Sequence, residues 1–321
     1  MSFASSNTSL LFWCRFLTAV ITLVFLVTTA FSQPARPAQY RTISITTEPG
    51  SIIWIDGVLY GTADTSGKLV IKTVAAGAHV VRIRANGFKE LVKPITAAQK
   101  GELSIPLTKT YDGAELAYQT AGDLMGRDRQ KAIEAYKKAI ALRPKYPEAF
   151  LGLARAYSES GDDENAAKAI RDARRLRPVY AEASAVEGRT FKDGGDEAKA
   201  IASFNRAIKE GKGFQPEAYA GLGLLYKEKA ENAGGGGDFD AESENYGTAA
   251  KYLTTAVKQL SGAPDAIVIY QLLGLVYERQ KKYKEAIATY NEFLSVFPES
   301  GEASAVRSYI VQIEKQMKEP K

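Results

Sequence analysis

The sequence predicts a multidomain α+β chain, in which a small all-β domain precedes an all-α superhelix of repeats. Three observations predict it. Apolar residues alternate with polar ones in short runs between residues 42 and 109. Small residues, aromatics and prolines then recur every 34 residues between 113 and 300. Ahead of both lies a run of about a dozen apolar or Thr residues within residues 1–32.

Composition sets the outer limits. With 321 residues, 45% apolar and 25% charged, the chain is long enough for two domains with ordinary cores. A net charge of +5 is too small for the basic field of a nucleic-acid protein, so no nucleic-acid partner is expected. The charge is uneven. Residues 33–110 carry ten Lys/Arg against five Asp/Glu, and residues 111–321 carry 31 against 32. His79 is the only histidine and Cys14 the only cysteine. One histidine cannot build a multi-His zinc site, and Cys14 lies in a segment read below as removed. No catalytic residue, cofactor or metal is therefore expected, and the chain reads as a non-enzyme.

Residues 1–32 read as an export signal. Phe16 to Val27 form the apolar run, with Arg15 ahead of it. Ala30 and Ser32 supply small residues at signal-peptidase spacing, and Pro34 and Pro37 stop any helix soon after. The alternative is an uncleaved single-span anchor, which needs Arg15 inside the roughly 20 apolar residues of a spanning helix. Cleaved, the protein is periplasmic or at the cell surface; uncleaved, it touches the membrane through this segment alone. Residues 33–41 form a linker.

Period-2 spacing marks half-buried strands in the domain at 42–109. Ile43 and Ile45 share a face, as do Ile53 and Ile55, Leu69 and Ile71, Val81 and Ile83, and Leu103, Ile105 and Leu107. Turn residues separate them, notably Asp56-Gly57 and Asn86-Gly87. Five or six short strands make a small sandwich or barrel-like sheet. His79 shares the parity of Val81 and Ile83 and reads as a packed strand-start residue. Trp54 has the opposite parity to Ile53 and Ile55, so its ring faces outward, either contacting a polymer or partner or covering a second layer. The Ser66-Gly67-Lys68-Leu69 stretch lacks the earlier glycine and the hydroxyl of a phosphate loop.

The strings TEPGSIIWIDGVLYGTAD (47–64) and AAGAHVVRIRANGF (75–88) resemble the PEGA family of short bacterial β modules. The resemblance covers essentially all of 42–109. It departs at Thr62-Ala63, where the family has Thr-Pro, and at Glu48, which precedes Pro49 instead of following it. It implies a surface or cell-envelope module.

From 113 to 300 about five units follow one another. Residues 148–178 and 182–212 superpose without gaps, pairing Ala154 with Gly188, Tyr157 with Phe191, Ala166 with Ala200 and Ile170 with Phe204. The fourth unit starts at Glu217 and the fifth at Tyr270. The first is worn, with Ala121 and Leu124 about one residue out of register. Small residues at Ala154, Gly188, Gly223 and Gly274 let paired helices approach, and Pro144, Pro178 and Pro298 stop the second helices. The period and positions resemble the tetratricopeptide family. In residues 301–321, Ala305, Tyr309 and Ile313 at i, i+4, i+8 read as a capping helix.

That resemblance implies a concave wall of first helices that binds a protein or peptide. Its candidate residues are Leu151, Arg155 and Glu159; Arg189 and Lys192; Leu224 and Lys227; and Leu275 and Arg279. For each one singly, the plainer reading is a solvated helix face. The insertion 231–247, with four glycines in a row and alternating acids from Asp238 to Glu244, reads as a mobile acidic loop inside the fourth unit. The expected function is a protein-interaction scaffold in the cell envelope. The alternative is a polysaccharide or peptidoglycan binder acting through the β domain and Trp54.

Overall fold

The structure, a computed structural model, describes residues 40–318. The expected signal or anchor at 1–32, Cys14 included, lies outside the described residues. Among the described residues no helix is long and apolar enough to cross a membrane.

Seven strands form the β domain: β1 (Tyr40–Thr46), β2 (Ile52–Ile55), β3 (Val58–Thr62), β4 (Lys68–Ala75), β5 (His79–Arg84), β6 (Leu91–Ile95) and β7 (Gly101–Ser104). They make two sheets, ordered β4-β1-β7 and β3-β2-β5-β6. β1 pairs antiparallel with β4 and parallel with β7. The alternating residues do what their parity requires. Ile43, Ile45 and Val74 from one sheet and Ile53, Val81 and Ile83 from the other are sealed in one core. Asp56 and Gly57 both take positive φ (51° and 82°) in the β2–β3 hairpin, the backbone that such a two-residue turn demands. β3 and β6 were not among the expected strands. β6 carries Pro94, which an edge strand tolerates because it pairs on one side only.

Eleven helices follow among the described residues: α1 (Gly113–Leu124), α2 (Arg129–Leu142), α3 (Pro147–Ser158), α4 (Asp163–Leu176), α5 (Ala181–Asp193), α6 (Glu197–Glu210), α7 (Pro216–Gly235), α8 (Phe239–Leu260), α9 (Ala266–Arg279), α10 (Tyr283–Val296) and α11 (Ala303–Lys318). The first ten pack as five consecutive pairs. A repeated device starts the second helix of four pairs. Asp128, Asp162, Asp196 and Asp238 each accept a hydrogen bond from the backbone N–H three residues on, satisfying a donor the helix start leaves open. The expected small-residue contacts are present. Ala132, Ala166, Ala200 and Ala286 are fully buried at the starts of second helices, and Gly188 and Gly274 lie directly against the Phe204 and Tyr290 rings.

Two expectations about the array need correction. The insertion 231–247 is helical, not a loop. It lengthens α7 to 20 residues and α8 to 22 and confines the turn to Gly236–Asp238. The glycines stand at the end of α7, where helix propensity counts least. Gly237 (φ 82°) supplies the left-handed turn. Buried Ala230 and Tyr246 hold the lengthened pair together. In α11 the buried stripe is Ala303, Val306 and Ile313, with Ile310 beside it; Ala305 is exposed and Tyr309 is 42% exposed. The stripe follows i, i+3, i+7, i+10, about one residue away from the expected spacing.

Candidate partner-binding wall

The first helices α3, α5, α7 and α9 carry the candidate residues, and the structure sorts them into three groups. Leu151 is not on an open surface. It is 8% exposed, in the core shared with Ile133 and Tyr136 of the first pair, because that pair crowds the start of α3. Leu224 and Leu275 are half-buried, as an apolar contact site requires, and Arg279 is exposed in the last turn of α9. The remaining charged candidates are engaged with other charges of the chain. Lys192 sits 3.0 Å from Asp193 and 3.3 Å from Glu228, and Lys227 sits 2.7 Å from Glu231.

The main electrostatic feature joins three of these helices. Arg155 on α3 donates to both carboxylate oxygens of Glu217 at the start of α7, at 3.0 and 2.7 Å. Burial alone would push the Glu217 carboxyl up, but the Arg155 charge and hydrogen bond outweigh it and hold it below its usual range. Burial likewise opposes the charge on Arg155, and Glu217 more than compensates. Arg189 on α5 stands between, 3.8 Å from Glu217 and 3.9 Å from Glu159, while Glu159 lies 3.6 Å from Arg129 at the start of α2. Of the candidate wall cations, Arg155 is therefore locked in a bidentate pair. Glu217 and Arg129 were missed. The available signal for Glu217 was its slot, the second residue of a first helix, which Glu148 and Glu182 also occupy.

The β domain is docked on this array at two places. At the first, buried Gln119 of α1 accepts from the Gly87 N–H (2.9 Å) and donates to the Phe88 carbonyl (2.7 Å), and Asn86 donates to Asp123. At the second, beyond the fourth pair, Tyr60 donates to the Ser261 carbonyl (3.2 Å), Thr73 donates to the Gly262 carbonyl (3.0 Å), and Val58 joins the core around Leu260 and Ala263. Burial pushes the Tyr60 phenol up to about 12. Trp54 is half-buried on the outer face of its sheet, as its parity requires. The guanidinium groups of Arg82 and Arg84 lie 4.2 and 5.2 Å from its ring centroid. Arg84 also reaches across to the array, lying 4.6 Å from the Tyr118 ring centroid and donating to the Tyr118 hydroxyl at 3.2 Å. Trp54 therefore buttresses the docked Arg84 as well as facing outward. His79 is held by Asp56 (2.6 Å) and the Ala75 carbonyl (2.9 Å) at the start of β5.

Comparisons with known proteins agree with this division of the chain. The profile of the PEGA domain matches residues 40–110. Tetratricopeptide-repeat profiles match 129–161, 152–213 and 270–300. No curated protein matches the sequence. Among solved structures, yeast Tom70 aligns over 64% of this chain and 41% of its own, with 16% identity and a TM-score of 0.51. A thermophilic TPR protein of Thermus thermophilus aligns over 62% and 98% at 18% identity, TM-score 0.45. A MamA structure aligns over 57% and 94% at 26% identity, TM-score 0.40. The chain carries a PEGA domain followed by an array of tetratricopeptide repeats.

Proposed function

We propose that this protein is an exported, non-enzymatic interaction scaffold of the cell envelope, whose repeat array binds a protein or peptide partner. The observation that carries the reading is the wall itself. Successive first helices bring half-buried Leu224 and Leu275 onto a rigid surface together with charged side chains. Rigid apolar positions with charged neighbours are what a binding surface uses for affinity and register. Placement in the envelope rests on the apolar run at 16–27 and on the PEGA domain.

The test uses the whole mature chain as bait in envelope extract. Leu224→Asp together with Leu275→Asp is expected to abolish capture of a partner that the folded wild-type protein retains. Trp54→Ala is expected to leave that capture intact. Capture that survives the double change and is lost with Trp54→Ala would favour the second reading, a polymer-binding β domain. That reading draws on the outward face of Trp54, although its ring is already flanked by two guanidinium groups. Export is checked separately by sequencing the mature N-terminus, expected between Phe31 and Pro34.

A further inference from the structure

We propose that the outer face of the four-stranded sheet docks the β domain on the surface of an anionic phospholipid bilayer. The inference concerns the β domain and goes beyond partner binding by the array. An antiparallel sheet with one face on the core ordinarily turns polar residues outward on the other. The sheet β4-β1-β7 does so: Ser44, Thr46, Lys68, Glu102 and Ser104 face out, with Val70 the one apolar residue among them. The sheet β3-β2-β5-β6 does not. Its register lines up Leu59, Trp54, Arg82 and Val92 in one outward row, with Val80 and Pro94 paired beside it. Val92 is 60% exposed, Val80 44% and Leu59 38%, with the array in place. β6 is the edge opposite β3, whose Val58 and Tyr60 meet the array, so docking leaves this side open.

Charge gives the occupant. No strand position on this face carries a carboxylate. The five acids of the domain are engaged within it. Glu48 accepts from the Leu107 N–H, Asp56 holds His79, and Asp64 accepts from the Ser66 and Lys68 N–H groups. Glu90 pairs with Arg84, and Glu102 accepts from the Thr46 hydroxyl. The domain's ion pairs among the described residues are His79–Asp56 and Arg84–Glu90. Arg82 on the face and the exposed Lys89 and Lys93 at its β6 edge are left uncompensated. A bilayer with anionic headgroups meets both halves of this surface at once. Phosphates neutralise the cations, Val80, Val92 and Leu59 enter the acyl boundary, and an indole favours that interface. A soluble acidic polymer would leave the valines in water, and an apolar protein patch would leave the cations without counter-charge. The chain enters β1 at the Val80–Pro94 end, since Arg41 donates to the Gly77 and Thr96 carbonyls. The apolar run ends at Val27, so left uncleaved it would hold this end within about 40 Å of the bilayer.

The probe is a vesicle of phosphatidylglycerol and phosphatidylcholine in equal parts, set against phosphatidylcholine alone. The chain from Gln33 to Lys321 contains every described strand and helix, and Trp54 is its one tryptophan. At low salt it is expected to bind the mixed vesicles at least about tenfold more tightly in co-sedimentation, with Trp54 emission moving to shorter wavelength. Val80→Ser with Val92→Ser should weaken binding about tenfold and Arg82→Gln about fivefold. Val70→Ser on the other sheet should leave it unchanged. Circular dichroism identical to wild type secures the fold of each variant. Equal binding to both vesicles, an unmoved Trp54 emission, or affinity kept by the double serine variant overturns the proposal. So does failure of the wild type to bind the mixed vesicles. An emission shift that soluble polyphosphate reproduces assigns the face to an acidic polymer and overturns it too. The scaffold reading stands or falls separately, on the Leu224 and Leu275 double change.

Discussion

Gly188→Ala is the sharpest test of how the repeats pack, because two physical effects of opposite sign meet there. Gly188 lies inside α5, where alanine is about 1 kcal/mol better than glycine on backbone grounds. On propensity alone the change stabilises. The structure reverses that sign. A Cβ at Gly188 would lie 2.6 Å from Cδ1, 2.7 Å from Cε1 and 2.9 Å from Cγ of Phe204. The ring cannot retreat, since it is 1% exposed and its far edge rests on Gly221 of α7, where a Cβ would lie 2.3 Å from Cζ. Overpacking of this kind costs typically ~1–3 kcal/mol, and a ring clamped between two backbones belongs at the upper end. Subtracting the propensity gain leaves about 2 kcal/mol of net destabilisation. Urea unfolding followed by helical ellipticity reads this as a lower midpoint at unchanged slope. In a Phe204→Leu background the same glycine change should cost clearly less, since the smaller side chain vacates the contact. A Gly188→Ala protein more stable than wild type would refute the clamped-ring account.

Three further outcomes follow from the same reasoning. Gly234→Ala, whose Cβ would first meet the movable carboxylate end of Glu242 at 2.7–2.9 Å, should be neutral or stabilising by up to about 1 kcal/mol in the same melts. Gln119→Ala strips partners from the Gly87 N–H and the Phe88 carbonyl, so it should weaken β-domain docking by about 1–3 kcal/mol. Hydrogen exchange should then accelerate at the 86–88 turn while α5 and α6 stay protected; uniform acceleration would contradict a local dock. Acid titration checks the ion pairs. Glu217 and Glu210 are both held below the ordinary carboxylate value, so their contribution is complete above about pH 4.5 and is lost as pH falls through their folded-state values. Melts in that range should show the loss, and Glu217→Gln should flatten it at a stability cost already present at pH 7.

The sequence by itself determined the parts whose cause is local or periodic. Strand parity placed Ile43, Ile45, Ile53, Ile83 and their neighbours in one core, because a pleated strand sends alternate side chains to opposite faces. The 34-residue period placed Ala166, Ala200 and Gly188 at helix contacts, because each unit repeats the same packing problem. Capping aspartates recur at 128, 162 and 196 with the same period.

Only the tertiary structure decided what depends on partners distant in sequence or on how the units stack. Leu151 looks like a wall residue until the first pair is seen covering it. The four glycines read as a loop because their propensity is poor, yet burial of Ala230 and Tyr246 carries the helices through to the turn. Arg155 meets Glu217 across 62 residues, and Tyr60 meets Ser261 across 201. No window of sequence contains both members of either contact. Which charges on the wall meet follows from how core packing between pairs sets α3, α5 and α7 beside one another.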